Sequence, residues 1–278
     1  MSVMSKIKHI LYPVQGEIWC LHRVVPTRSR FPSNRDLEIT PEWLEKIILE
    51  HKREGCEFVP IDEIVDDINH RPWDLRKKKR INISFDDGFR DVYENAYPIF
   101  RKYQIPFTIY LSSSFPIGKC DLWWIQLEQC VQGDVGRFES IMESLYQSDE
   151  NMRNAMHRMT DTQPDYSICR DLAVSWDQLR EMVSSGLCTV GAHTMSHPSL
   201  IRISEQEAEA ELVESKKMIE SQLGIKVKHF SYPHSMNNEA IRSMVKEIGY
   251  KSATLGYGGT VRKGNDVYLL NRRYITQS

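Results

Sequence analysis

The chain has 278 residues, 41% hydrophobic and 27% charged, with 36 Lys and Arg against 38 Asp and Glu for a net charge of -2. That composition belongs to a globular chain with a substantial core, and it excludes a disordered chain, a collagen-like chain and a polybasic nucleic-acid binder. No window approaches the roughly 18 to 20 apolar residues of a membrane span, and the opening MSVMSKIKHILYPVQGEIW breaks its apolar run too early for a secretory signal, so the expected location is the cytoplasm or the inner membrane face.

The run EIWCLHRVV, Glu17 to Val25, has the β-branched and aromatic content of a strand, and after Pro26 the polar TRSRFPSNRD reads as a long loop. Thr40-Pro41-Glu42-Trp43 predicts an N-capped helix running to Gly55, and FVPIDEIVDDI a short strand and a short helix. The basic run Arg76 to Arg80 reads as a solvated loop in a chain of balanced charge. RINISF, Arg80 to Phe85, is the clearest strand and stops at Asp86-Asp87-Gly88; a helical pattern follows from Asp91 to Tyr103, then a strand from Ile105 to Leu111. Strand, helix and strand make a parallel βαβ unit with the Asp-Asp-Gly turn at a carboxyl strand end, where α/β folds place chemistry.

From about 117 to 172 no strand is visible, and the polar, Met-rich pattern predicts a helical insertion. Ser175-Trp176-Asp177-Gln178 is a capping box for the next helix, and the strand LCTVGA then delivers His193. A long helix from Ser204 to Leu223 stops at Gly224, VKHFSY leads to Pro233, and a helix, YKSATL, a Gly-rich turn and VYLLNRRYI complete the alternation. The pattern predicts an α/β parallel barrel or sheet, with residues 1–278 forming one domain. The six cysteines (Cys20, Cys56, Cys120, Cys130, Cys169, Cys188) form no Cys-x-x-Cys pair and read as reduced and mostly buried.

Three strand ends carry polar groups: Asp86 and Asp87, His193 and His197, and Tyr232-Pro233-His234. Parallel strands point these ends to one face, and two histidines with a carboxylate form a common ligand set for a catalytic divalent metal. A haloacid-dehalogenase-type phosphatase would need Asp-x-Asp, but Gly88 follows Asp87; a zincin helix would need Glu after His193, where Thr194 stands.

Phe85-Asp86-Asp87-Gly88 with Phe89-Arg90-Asp91, His193-Thr194-x-x-His197-Pro198 and Phe230-Ser231-Tyr232-Pro233 resemble the motifs of the polysaccharide deacetylases, the NodB-homology group of carbohydrate esterase family 4. Leu21-His22-Arg23-Val24, Ile105-Pro106, the SWDQLREM helix and Glu211-Leu212-x-x-Ser215-Lys216 extend the resemblance to one branch over most of the chain except the insertion. The resemblance implies a distorted (β/α) barrel of about seven parallel strands and metal-dependent removal of acetyl from an N-acetylhexosamine. It assigns the metal, most often Zn2+ with Co2+, Ni2+, Mn2+ or Fe2+ as alternatives, to Asp87, His193 and His197. Asp86 becomes the general base, the backbone N–H of His234 an oxyanion donor beside the metal, and Thr194 a support for the ligands.

Two departures stand out. The family's strongest members have Arg before the Pro-Tyr of the third motif and a late Leu-x-His whose imidazole protonates the leaving amine; here the runs are Phe230-Ser231-Tyr232-Pro233-His234-Ser235 and Leu269-Leu270-Asn271-Arg272-Arg273. His22 and His234 are the candidate proton donors, and Arg272 or Arg273 the candidate partner of Asp86, against a surface salt bridge. Trp123 and Trp124 read as the insertion's own core rather than as sugar platforms. The expected substrate is an N-acetylated oligo- or polysaccharide or a lipid-linked saccharide; the alternatives are a non-catalytic saccharide-binding pseudoenzyme and a metal-dependent O-deacetylase.

Overall fold

Seven strands close into a ring in which every neighbouring pair is parallel: β1 (Val14–Leu21), β5 (Arg80–Asp87), β6 (Phe107–Leu111), β7 (Cys188–Ala192), β8 (His229–Ser231), β9 (Ser252–Gly258) and β11 (Leu270–Tyr274). The structure is a computed structural model that describes residues 14–70 and 79–277. The opening segment to residue 13 and Arg76 to Lys78 of the basic run lie outside the described residues. Among the described residues no helix is long and apolar enough to cross a membrane.

The period-2 alternation of β5 sorts its side chains. Ile81, Ile83 and Phe85 join the main apolar core under the helices, while Asn82, Ser84 and Asp86 are buried with polar partners: Asn82 accepts from Thr108, Ser84 donates to the Trp19 carbonyl, and Asp86 is paired with Arg272. The barrel lumen therefore carries a polar column rather than stacked aliphatic layers. Gly88 ends β5 at φ 109°, and a Cβ there would run into the Leu111 side chain, so the tight Asp-Asp-Gly turn requires glycine.

Several elements differ from expectation. The first strand stops at Leu21 and resumes only as β2 (Arg23–Val24), which pairs with β3 (Glu38–Ile39); the intervening loop contains the short helix α1 (Pro32–Arg35). The helix after Asp91 opens as a π turn, Val92–Ala96, before α4 (Tyr97–Tyr103). Pro98 has no N–H for the Glu94 carbonyl, which removes an α-type bond where the turn widens. The Gly-rich stretch continues β9 to Gly258, and β10 (Thr260–Arg262), unseen in the sequence, pairs antiparallel with β1. Elsewhere capping chemistry governs: α2 (Pro41–Arg53) starts on Thr40, and α9 (Trp176–Ser184) and α10 (Glu205–Leu223) carry complete capping boxes on Ser175 and Ser204.

Between β6 and α9 stand the helices α5 (Trp123–Cys130), α6 (Val135–Gln147), α7 (Met152–Thr160) and α8 (Tyr166–Leu172). They share a separate core of Leu127, Phe138, Met156 and others, into which Phe31 of the first loop and Phe89 and Phe115 of the barrel insert. Trp123 and Trp124 are 3% and 6% exposed and belong to this core, yet both also line the cavity at the barrel mouth.

Candidate functional site

Leu111 of β6 pairs with Asp87 on one side and Ala192 on the other, and Ala192 pairs with Phe230, so three carboxyl strand ends lie level. This brings residues from three remote motifs together. Asp87 Oδ1 lies 3.3 Å from His197 Nε2 and 3.6 Å from His193 Nε2. The donor atoms of the three residues all fall within 4.8 Å of one another.

His193 Nδ1 is 2.7 Å from the Ser231 carbonyl, an acceptor, so Nδ1 carries the proton and Nε2 keeps its lone pair toward Asp87. Burial lowers the pKa of His193 and pushes that of His197 well down, with His234 and His193 adding to the effect at His197. Burial, followed by the charge of Asp86, drives the Asp87 carboxyl well above its usual range, against Arg272 and Arg23. Asp87 Oδ1 is buried and has no hydrogen-bond partner among the described residues. An orphaned carboxylate oxygen between two neutral imidazole nitrogens is an all-acceptor set, and these residues fit a divalent cation.

The backbone here is strained: Asp87, Thr194, His197, His234 and Ser235 have φ of 74°, 66°, 60°, 55° and 59°. Local bonds hold the turn between the histidines. Thr194 Oγ1 donates to the His193 carbonyl at 2.5 Å and accepts from His197 N–H at 3.0 Å. From α10, Glu211 accepts from Met195 N–H, Ser196 N–H and Ser196 Oγ, and Ser215 donates to the Thr194 carbonyl.

Asp86 meets the fork of Arg272, Nη1 to Oδ1 at 2.7 Å and Nη2 to Oδ2 at 2.5 Å. Arg272 is 1% exposed. Its remaining donors reach the Leu255 carbonyl, Ser84 Oγ and Ser231 Oγ, and its guanidinium lies 5.4 Å from the Tyr110 ring centre. Burial raises the Asp86 carboxyl, but the charges of Arg272 and His193 and the Arg272 hydrogen bonds outweigh it and hold Asp86 well below the usual carboxylate range. Arg273 points elsewhere, to Glu17 at 3.3 Å.

A cavity of about 380 Å³ opens over these groups. His22 lines it, with its ligand atom within 4.8 Å of those of Asp86 and Cys20 and with Nδ1 buried and unpartnered among the described residues. Burial lowers its pKa to about 4. His234 also lines the cavity, its ring 4.7 Å from that of His197, and burial lowers its pKa to about 3. Tyr146, Tyr257 and Tyr274 stand partly exposed at the mouth.

A model of the polysaccharide deacetylase family matches residues 74–253. The chain belongs to the polysaccharide deacetylase family. Two solved structures share the fold over nearly the whole chain at 20% identity: IcaB from Ammonifex degensii (TM-score 0.67, 95% of this chain and 92% of that one) and the deacetylase PplD of Streptococcus pyogenes in complex with acetate (0.69, 95% and 93%). The poly-beta-1,6-N-acetyl-D-glucosamine N-deacetylase of Staphylococcus aureus is 24% identical over 201 residues, 69% of this chain and 53% of that protein. The chain spans about half the length of the curated relatives it matches, at 51% and 53%.

In this polysaccharide deacetylase chain, Arg272 and not Arg273 is the arginine that pairs with Asp86. Ser231 was missed as a contributor: its carbonyl orients His193 and its hydroxyl joins Asp86 and Arg272, and its only sequence signal was its place at a strand end. The cavity wall from Asn34 and Asp36 of the first loop, Tyr146 of the insertion and Tyr257 had no periodic signal at all.

Proposed function

We propose that this chain is a metal-dependent deacetylase that hydrolyses the N-acetyl group of an N-acetylhexosamine unit in an uncharged polysaccharide. The observation that carries this reading is the orphaned Asp87 oxygen set between His193 and His197 beside the Asp86–Arg272 pair. A divalent ion held by Asp87, His193 and His197 would supply Lewis-acid chemistry toward an amide carbonyl and water.

The other steps belong to the protein's own groups. Arg272 keeps Asp86 ionised and fixes the plane of its carboxylate, so Asp86 accepts the proton of the attacking water. His22, with its ligand atom within 4.8 Å of that of Asp86 at the same cavity, is placed to carry a proton from Asp86 to the leaving nitrogen, which departs as the amine while the acetyl carbon keeps the water oxygen as acetate. In the short 3-10 turn Pro233–Ser235, Pro233 has no N–H and Ser235 N–H donates to the Tyr232 carbonyl, which leaves His234 N–H for the developing oxyanion.

The cavity also favours a substrate class. Among the described residues lining it, Arg272 is the only Arg or Lys, and Asp86 engages it. A nucleotide-linked or lipid-diphosphate sugar would find no free Arg or Lys there, whereas Tyr257 and Tyr274 offer faces to neutral sugar rings. The name of the Staphylococcus aureus relative supports an N-acetylglucosamine polymer.

Elemental analysis of the purified protein beside acetate release from N-acetylglucosamine oligomers tests the reading. Stoichiometric metal with acetate release that disappears in Asp86→Asn is expected. Release from O-acetylated sugars alone would make it an O-deacetylase, and neither metal nor acetate would leave a saccharide-binding module.

A further inference from the structure

The two histidines of the proposed metal site are held in different ways. His193 is anchored through its own ring, Nδ1 to the Ser231 carbonyl. His197 Nδ1 is buried and has no hydrogen-bond partner among the described residues. Ligating imidazoles normally gain their orientation from a bond at the second nitrogen. The placement of His197 must therefore come from its backbone and from packing.

That backbone is held by more than its own Thr194 bonds. Thr194 and His197 both have positive φ, a strain for non-glycine residues that the surroundings must offset. Glu211 and Ser215 grip the turn from the barrel side. On the other side lies the insertion. Arg153 of α7 donates from Nη2 to the Ser196 carbonyl at 2.8 Å, and Ser196 is the residue before His197. Arg153 Nε lies 3.6 Å from Asp121 Oδ2, Asp121 is 2.7 Å from His157 Nε2, and His157 Nδ1 is 3.0 Å from Thr162 Oγ1. Trp124 of α5 adds a ring contact to His197 at 5.1 Å.

We infer that the helical insertion sets the geometry of His197 through Arg153, making Arg153 a positioning residue for the metal site. This inference rests on the metal reading proposed above. It has a sign that distinguishes it from simple electrostatics. A cation near His197 is repelled by the Arg153 charge, so removing that charge would tighten metal binding if charge alone mattered. Positioning demands the opposite.

The test measures Zn2+ affinity by competition with a chromophoric chelator, with circular dichroism to confirm folding. Arg153→Met is expected to bind Zn2+ about 10- to 100-fold more weakly, while Arg158→Met, on the same helix but paired with exposed Glu150, keeps wild-type affinity. A folded Arg153→Met with equal or tighter affinity overturns the inference. Should that variant not fold, Arg153→Lys keeps the charge but loses the fork that serves Asp121 and Ser196 together; about 3- to 10-fold weaker binding is expected, and wild-type affinity overturns it. The metal reading itself is separable: wild type that binds no Zn2+, or His193→Ala that binds like wild type, would discard the site. Lost binding in His193→Ala beside an unchanged Arg153→Met discards only the role of Arg153.

Discussion

Arg272 and Asp86, 186 positions apart, meet in a buried fork at 2.7 and 2.5 Å that closes the last strand of the barrel onto the strand bearing the Asp-Asp-Gly turn. Arg272→Met strands a carboxylate in the lumen, and breaking a buried pair from one side costs about 3 to 5 kcal/mol. Urea unfolding should show that loss, and acetate release should fall with it. Ser231→Ala removes only a neutral hydroxyl from the same network, and it leaves the carbonyl that orients His193. Its cost should be about 1 kcal/mol, with metal content unchanged. Equal losses in the two variants would show that the charge pair has no special weight.

The proton donor can be assigned by comparing two histidines on two substrates. His22→Gln should lower kcat on an N-acetyl sugar by about 10² to 10⁴, and on the matching O-acetyl ester by much less, because an alkoxide needs less protonation than an amide nitrogen. His234→Gln changes a ring that packs on His197 but leaves the backbone N–H in place, so its effect should be alike on both substrates. If His234→Gln and not His22→Gln shows the substrate split, the roles are reversed.

Much of this site was legible because barrel topology converts motif order into position. Asp87, His193 and His197 needed only that their strands be parallel and neighbouring, and the apolar runs before them signalled that. The choice between Arg272 and Arg273 was open because both follow the same apolar run. One step along a strand flips a side chain to the other face, and the register of β11 against β1 decides which arginine enters the lumen. The Arg153 relay had no sequence signal, since Arg153 and His157 of α7 meet Asp121, Thr162 and Ser196, which lie outside any helix or strand. The same holds for β2, β3 and β10, each too short to show a period.

Away from the site, Asp62 at the start of α3 (Ile61–His70) ties to β8 through His229 at 3.4 Å and to Lys228 at 3.0 Å. The His229 contact, against burial and with help from Lys228, holds its carboxyl well below the usual range. A carboxylate depressed in the folded state adds stability above its unfolded pKa of about 4 and loses it as pH falls toward the folded value. Asp62→Asn should therefore be less stable than wild type at pH 7 by no more than about 1 kcal/mol, because the side chain is 39% exposed. The two curves should converge below pH of about 4. A gap that stays constant to low pH would mean that the substitution acts through shape and not charge.

The aromatic residues of the cavity should divide by burial into binding and folding roles. Tyr257 is 60% exposed at the mouth and belongs to none of the buried core clusters. Tyr257→Ala should change stability by less than about 0.5 kcal/mol, while a lost sugar-stacking face worth about 0.5 to 1.5 kcal/mol raises KM for oligomers about 2- to 12-fold. Trp124 is packed against Trp123 at 5.5 Å inside the insertion core and against His197 at 5.1 Å. Trp124→Ala should cost about 3 to 5 kcal/mol of stability and weaken metal binding as well, since it removes the insertion's ring contact to His197. Steady-state kinetics on a length series of oligomers, read beside urea midpoints, checks both. A Tyr257→Ala enzyme with unchanged KM at every length would remove the tyrosine from the substrate path.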